Sequence, residues 1–190
     1  MKDIVKLGLI LLGFGVMSAL LLGLTYQVTL EPITQSRALE DQQNQQMVAP
    51  EAEEFVALDE AVLEKVRENN PGILAIAEAM KGSDKVGYVV KSQTNGFGGP
   101  MEVTVGVDPA GQITGIRLGN HTETPGLGDN ATKPEFYDQF PGKDLMSGIG
   151  VNKGEPGANE IQAITGATVT SRAVADAVNA VKAVIEEVGQ

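Results

Sequence analysis

The sequence has no cysteine, no tryptophan and only one histidine among its 190 residues. A chain without cysteine forms no disulfide, holds no Cys-ligated iron–sulfur cluster and has no thiol for nucleophilic catalysis or for a lipid anchor. One histidine cannot build a multi-histidine site, and we expect no metal centre. Aromatic residues make up 4% of the chain and the formal net charge is -11. Because nucleic acids are bound by aromatic stacking and positive charge, we expect no nucleic-acid partner.

A long uncharged segment is present near the N-terminus. Residues 7–24, LGLILLGFGVMSALLLGL, would span about 27 Å as a helix, close to the hydrocarbon thickness of a bilayer. A cleaved signal peptide would have a shorter apolar region that ends at a small-x-small site. We therefore predict a retained, single-pass helix in the inner or plasma membrane. Lys2 and Lys6 precede the run, and the positive-inside rule predicts a cytoplasmic N-terminus with residues 31–190 outside the cytoplasm.

The chain divides into three segments by composition. Residues 1–30 hold the cytoplasmic N-terminus and the membrane helix, and residues 31–57 are polar and glutamine-rich, which predicts a stalk. Pro32 is expected where the chain leaves the membrane, and periodicity does not decide whether the stalk is a helix or a linker. Residues 58–190 form the predicted extracytoplasmic domain.

The domain alternates between helical and strand patterns. Residues 59–70 predict a helix capped by Asp59, and GILAIAEAM (residues 72–80) fits either a short helix or a strand. Clean alternation in MEVTVGVD (residues 101–108), a tight turn and a return strand predict an antiparallel hairpin, with a third strand in residues 85–93. Valine and isoleucine at spacings of four and three predict a final helix over residues 170–188. Helices that flank an antiparallel sheet give an α+β domain.

Hydroxyl side chains are crowded just before the final helix. In ITGATVTSRAV, residues 164–174, three threonines and a serine precede the helical pattern. A loop that leads into a helix offers free backbone N–H groups and the positive end of the helix dipole, which suit a phosphate. The residues alone leave two interpretations open, a redundantly capped helix and a phosphate-binding loop. The lysine of a Walker motif is absent, and a serine hydrolase is not expected without G-x-S-x-G.

Two motifs resemble a known family. TGATVT, residues 165–170, is similar to the motif [ST]-G-A-[ST]-x-[ST] of domains that carry FMN covalently, and HTETPGLGD, residues 121–129, resembles the ETPGLG loop of the same family. The strand pair at residues 98–121 resembles the hairpin that precedes this loop. The resemblance extends over residues 85–185. With its short N-terminal anchor and 190 residues, the chain most resembles the G subunits of Rnf complexes, the ion-pumping ferredoxin:NAD oxidoreductases; the C subunits of sodium-pumping NADH:quinone oxidoreductases share the motif but are usually longer.

The resemblance implies specific roles for the two motifs. The FMN phosphate is expected on the Thr170 hydroxyl, placed there from FAD by a flavin transferase. The rest of the hydroxyl motif is expected to bind the phosphate or the ribityl chain, and the ETPGLG loop to form part of the flavin wall. The expected cofactor-binding residues are Thr165, Gly166, Ala167, Thr168, Val169 and Thr170 in the motif, and Glu123, Thr124, Pro125, Gly126, Leu127 and Gly128 in the loop.

The resemblance also implies a function. The chain is expected to be an electron-transfer flavoprotein subunit of an ion-translocating oxidoreductase complex rather than a stand-alone enzyme. Its expected partners are other membrane subunits, the flavin transferase and membrane lipid. The alternative is an extracytoplasmic, non-redox protein that binds a phosphate-bearing ligand at residues 165–170. Flavin colour that survives denaturation would distinguish the two.

Overall fold

The computed structural model describes residues 2–188 as two compact units. One unit ends at Asp41 and the other begins at Gln42. A single helix, α1 (Lys2–Val48), provides all the described residues of the first unit and the start of the second. Its most apolar 18-residue window has a mean hydropathy of 2.4 and is not buried against other residues, so α1 is long and apolar enough to cross a membrane. Pro32 lies inside α1.

The second unit contains a five-stranded antiparallel sheet in which neighbours in sequence are neighbours in space. Its strand order is β1-β2-β3-β4-β5. The strands and the helices that follow α1 are β1 (Glu54–Ala57), α2 (Glu60–Asn69), β2 (Ile73–Lys81), β3 (Asp84–Asn95), β4 (Pro100–Val107), β5 (Ile113–His121), a 3-10 helix (Gly128–Thr132), α3 (Pro134–Tyr137), β6 (Gly150–Asn152), β7 (Glu160–Gln162) and α4 (Thr168–Val188). Strands β6 and β7 form a separate parallel pair.

Helix α4 covers one face of the sheet. Its core-facing valines at 174, 178, 181 and 184 are fully buried, and Ser92 in β3 donates a hydrogen bond to the Ala177 carbonyl at 3.1 Å. Fully burying one valine contributes about 1.5 kcal/mol or more. Packing against the sheet, more than intrinsic propensity, therefore holds this valine-rich helix in place. The start of α4 then sits at one end of the β4–β5 hairpin.

The end of α1 covers the opposite face of the sheet. Val48 packs with Ala49, Ala52, Ala79 and Val89 in a small apolar cluster. Gly106 and Gly115 are paired between β4 and β5, and they allow the backbone of Val48 to approach the sheet closely. Thr114 donates a side-chain hydrogen bond to the Val48 carbonyl.

The structure confirms the α+β class and revises several boundaries. The segment GILAIAEAM forms β2, and Asp59 caps α2 by accepting from the Ala61 N–H at 3.1 Å. Residues 42–57 were assigned to the stalk, but the structure places them in the second compact unit, where they supply the end of α1 and the edge strand β1. Helix α4 starts at Thr168, two residues before its predicted start.

Candidate functional site

A cavity of about 330 Å³ lies where the two predicted motifs meet. This volume is in the range of small-molecule sites. The loop after β5 forms one wall, and the loop before α4 with the first turn of that helix forms another. The lining residues are Phe97, Glu123, Thr124, Leu127, Gly128, Gly166, Ala167, Thr168, Val169 and Thr170.

Thr170 lies deep in this cavity. Its side chain is 1% exposed, and its hydroxyl donates a hydrogen bond to Oε2 of Glu123 at 2.8 Å. We expected the final helix to begin at Thr170. Helix α4 begins instead at Thr168, so Thr170 lies within its first turn. The Thr170 hydroxyl bonds to Glu123 of the other motif, 47 residues earlier in the chain, and it does not cap the helix.

The neighbouring hydroxyls have different surroundings. Ser171 is fully buried, donates to the Ala167 carbonyl at 3.0 Å and accepts from the Ile164 N–H at 2.9 Å. It therefore fastens the loop to the helix. Thr168 is the first residue of α4 and is half-buried in the cavity wall.

Glu123 joins three segments of the site. Its side chain is 6% exposed; Oε1 accepts a hydrogen bond from the Gly98 N–H at 3.1 Å, while Oε2 accepts from Thr170. Thr122 strengthens the first contact, because its hydroxyl donates to the Gly98 carbonyl at 2.9 Å. Glu123 thus connects the loop between β3 and β4 to the loop after β5 and to the start of α4.

Glycine is required where these segments meet. A Cβ on Gly128 would lie 2.1 Å from Oε2 of Glu123 and 2.7 Å from the Thr170 hydroxyl. Gly166 has a positive φ of 81°, which L side chains rarely adopt, and it makes the turn that brings the chain into α4.

Large apolar side chains surround the cavity and are open to solvent. Phe97 is 74% exposed, Val169 55% and Leu127 46%. Leu127 and Val169 were predicted site residues, whereas Phe97 was missed because TNGFGGP reads as a turn-rich loop. The available signal was a lone aromatic residue between glycines, in a chain with few aromatics.

Three of the twelve predicted residues do not line this cavity. Pro125 and Gly126 form the exposed turn of the ETPGLG loop. Thr165 faces two adjoining cavities, one of about 260 Å³ with Lys153 and one of about 420 Å³ with Lys133.

A larger cavity, of about 690 Å³, lies at the opposite end of the β4–β5 hairpin. It contains none of the predicted site residues. We place the site in the smaller cavity because polar groups from three segments converge there.

The arrangement fits a flavin mononucleotide. The apolar rim suits an aromatic ring system, and the first turn of the 21-residue α4 offers backbone N–H groups to a phosphate.

Comparison with known proteins defines the class. The FMN-binding domain family matches residues 96–183, which include every residue that lines the cavity. The fold resembles that of the C subunit of the Na⁺-translocating NADH-quinone reductase from Parabacteroides distasonis, with a TM-score of 0.57 and 24% identity over 73% of this chain and 79% of that one. Residues 96–183 thus match an FMN-binding domain by sequence, and the chain resembles that reductase component in fold.

Full-length relatives identify the family within this class. The chain is 38% identical over 186 residues to the G subunit of the Na⁺-translocating ferredoxin:NAD⁺ oxidoreductase complex of Acetobacterium woodii, covering 94% of this chain and 89% of that one. It is 29% identical to the G subunit of the ion-translocating oxidoreductase complex of Methanosarcina acetivorans, covering 94% and 92%. The chain belongs to the family of G subunits of ion-translocating ferredoxin:NAD⁺ oxidoreductase complexes.

Proposed function

We propose that this chain relays electrons within a membrane-bound, ion-translocating oxidoreductase complex through FMN that is covalently attached to Thr170. The family membership and the FMN-binding domain support the electron-transfer role. The observation that carries the attachment site is the Thr170 hydroxyl, which lies in the cavity and is hydrogen-bonded to Glu123. Each of the two sequence motifs contributes one side chain to this contact.

Each part of the cavity has a role in this proposal. Thr170 provides the ester oxygen, and the turn from Thr165 through Val169 offers backbone N–H groups and hydroxyls to the phosphate and ribityl chain. Residues 123–128 and Phe97 form the wall beside the ring. Bound FMN supplies the redox chemistry, while the protein sets its position and surroundings. A covalent tether keeps the cofactor from diffusing away.

The same proposal places α1 in the membrane as a single span and the domain outside the cytoplasm. It is supported by the apolar window of α1 and by Lys2 and Lys6 before that window. A flavin transferase then matures the protein, and other membrane subunits and lipid surround α1. Protease added to right-side-out cells should digest the domain; digestion only in inverted vesicles would contradict this orientation.

The attachment is tested with matched threonine variants. Thr170→Ala, Thr168→Ala and the wild type are produced in a host that has the flavin transferase. Flavin fluorescence is measured after denaturing electrophoresis, and peptides are mapped by mass. We expect FMN on Thr170 in the wild type, none in Thr170→Ala, and some in Thr168→Ala. Thr170→Ala should remain folded, because removing the donor to the buried Glu123 carboxylate costs about 3 kcal/mol, less than the usual stability of a domain.

Two results would contradict the proposal. FMN on another residue, or a Thr170→Ala protein that keeps covalent flavin, would disprove the attachment site. Flavin that is absent from the wild type, or is released on denaturation, would instead favour the alternative of a non-covalent binder of phosphate-bearing ligands.

A further inference from the structure

The cavity contains one titratable side chain. Glu123 is the only acidic or basic residue among those that line it in the described part of the chain. Its Oε2 is 2.8 Å from the Thr170 hydroxyl oxygen, and its other oxygen is held by the Gly98 N–H. An ionised carboxylate can accept a proton, and the Gly98 contact holds this one with Oε2 directed at the Thr170 hydroxyl.

Accessibility alone does not explain why Thr170 should react. Thr165 is exposed and Thr168 half-buried, whereas Thr170 is 1% exposed. Ser171 is also buried, but its hydroxyl donates a hydrogen bond to the Ala167 carbonyl. What distinguishes Thr170 is the carboxylate that receives its hydrogen bond.

We propose that Glu123 is the general base that takes the proton from Thr170 when the flavin is attached; this inference rests on the proposed function. A neutral alcohol is a weak nucleophile, and an adjacent base activates it as the bond forms. Hydrogen-bond distance to the transferred proton is the geometric requirement for this role, and the contact between Glu123 and Thr170 meets it.

The step balances with FAD as donor. The Thr170 oxygen forms a bond to the phosphorus that FAD shares with its FMN half, and the bond between that phosphorus and the bridging oxygen breaks. AMP leaves with the bridging oxygen. The Thr170 proton passes to Oε2 of Glu123, and no group is oxidised or reduced.

Proton transfer also removes a charge conflict. The attached phosphodiester is an anion, and the Glu123 carboxylate lies within hydrogen-bond distance of its ester oxygen. Two adjacent anions in a buried site repel each other strongly. A protonated Glu123 is neutral and can donate a hydrogen bond to the phosphodiester, so the base becomes compatible with the product it helps to form.

The test is the rate of flavin incorporation into the full-length protein in detergent, with purified flavin transferase and FAD. Intact mass and peptide mapping report the amount and position of FMN. Glu123→Gln and Glu123→Ala are compared with the wild type, and Glu64→Gln on the exposed face of α2 is the matched control. We expect incorporation to be about 100-fold or more slower in both Glu123 variants and unchanged in the control. Formate should restore part of the rate in Glu123→Ala, since the cavity leaves room for a small carboxylate.

The outcomes separate this inference from the proposed function. A wild type that carries FMN elsewhere than Thr170 contradicts the proposed function. A wild type modified at Thr170, with Glu123→Gln reacting at the same rate, overturns the role of Glu123 alone. A slow Glu123→Ala that formate does not rescue indicates that Glu123 only positions Thr170 and also overturns the proposal.

If Glu123→Gln loses its circular-dichroism signal, the comparison is made with Glu123→Asp. This variant keeps the carboxylate and should react faster than Glu123→Ala; an equal rate for the two variants contradicts the proposal.

Discussion

Thr170 and Ser171 show how adjacent hydroxyls acquire different roles. Both are buried, but the Ser171 hydroxyl donates to a carbonyl of its own helix, whereas that of Thr170 donates to a carboxylate from another loop. A helical residue points about 100° away from its predecessor, so consecutive side chains face different neighbours. None of the motif's threonines occupies the position immediately before the helix, which is held by Ala167. The two buried hydroxyls near the start of α4 therefore contact Glu123 in the cavity or hold the preceding loop, and they do not cap the helix.

A second carboxylate, Glu160, stabilises the loop between β6 and β7. It accepts hydrogen bonds from the Asn152 side chain at 3.0 Å and from the Gly157 N–H at 2.8 Å. The Asn152 hydrogen bond, followed by that of Gly157, lowers the pKa of Glu160 below its ordinary value of 4.5. The folded state thus binds this proton less tightly than the unfolded state. The stabilisation is complete above the ordinary pKa and is lost as the pH falls through the lowered value.

We therefore predict that Glu160→Gln has a lower Tm than the wild type at neutral pH, and that the difference shrinks as the solution is acidified below the ordinary pKa of glutamate. Thermal unfolding of the flavin-free protein followed by circular dichroism at a series of pH values checks this. A difference in Tm that stays constant with pH would show that the charge of Glu160 has no part in the effect.

At the scale of elements, the sequence predicted those whose periodicity is long and regular. The spacing of Val174, Val178 and Val181 predicted α4, and these valines face the sheet as expected. GILAIAEAM was ambiguous because a short apolar run fits a buried strand and a buried helix equally well. Strand β1 was missed because four residues at a sheet edge, of which only Phe55 is partly buried, leave almost no pattern.

The packing of the end of α1 on the sheet could not be predicted from the sequence either. It depends on a glycine pair, Gly106 and Gly115, that meets a helix end more than fifty residues earlier in the chain. A glycine in a strand signals a close approach of backbone but does not identify the segment that approaches.

We predict that Gly106→Ala loosens the end of α1. The added Cβ would lie 2.2 Å from the Val48 carbonyl oxygen, a backbone atom, so the last turn of α1 must move. The free energy of unfolding should fall by about 1–3 kcal/mol, the usual cost of overpacking. Hydrogen exchange at the Ala49 and Ala52 amides should accelerate, because these amides are bonded within the displaced segment.

Gly119→Ala is the matched control for this variant. Gly119 is in β5, and a Cβ there would meet Glu102 at 3.5 Å, an ordinary contact. Hydrogen exchange at Ala49 and Ala52 that responds equally to both substitutions would contradict the specific role of Gly106.

At the scale of the whole molecule, the sequence predicted the class of site better than the extent of the domain. The two motifs are local, and residues within each, such as Thr170 and Glu123, were assigned to the site through their resemblance to the family motifs. Their mutual contact is tertiary, and so is the entry of Phe97 from a third loop. The domain boundary was placed at residue 58 because residues 31–57 are polar. That composition reflects the exposed sides of a helix and of an edge strand, while the few buried positions, Asn44, Val48, Ala49 and Ala52, are too sparse to stand out.

This boundary gives the last prediction, made with two fragments that lack the apolar part of α1. A fragment of residues 42–190 contains the compact unit, including the segment that covers the outer face of the sheet. A fragment of residues 58–190 lacks that cover, exposes Val89 and Ala79, and leaves β2 as an unpaired edge. Exposed apolar edges promote association between sheets. We expect the longer fragment to be monomeric in gel filtration and to accept FMN at Thr170 from the flavin transferase. The shorter one should have a lower Tm or aggregate, although it retains every residue that lines the cavity. A shorter fragment as stable and as monomeric as the longer one would mean that residues 42–57 are dispensable and that the boundary lies at residue 58.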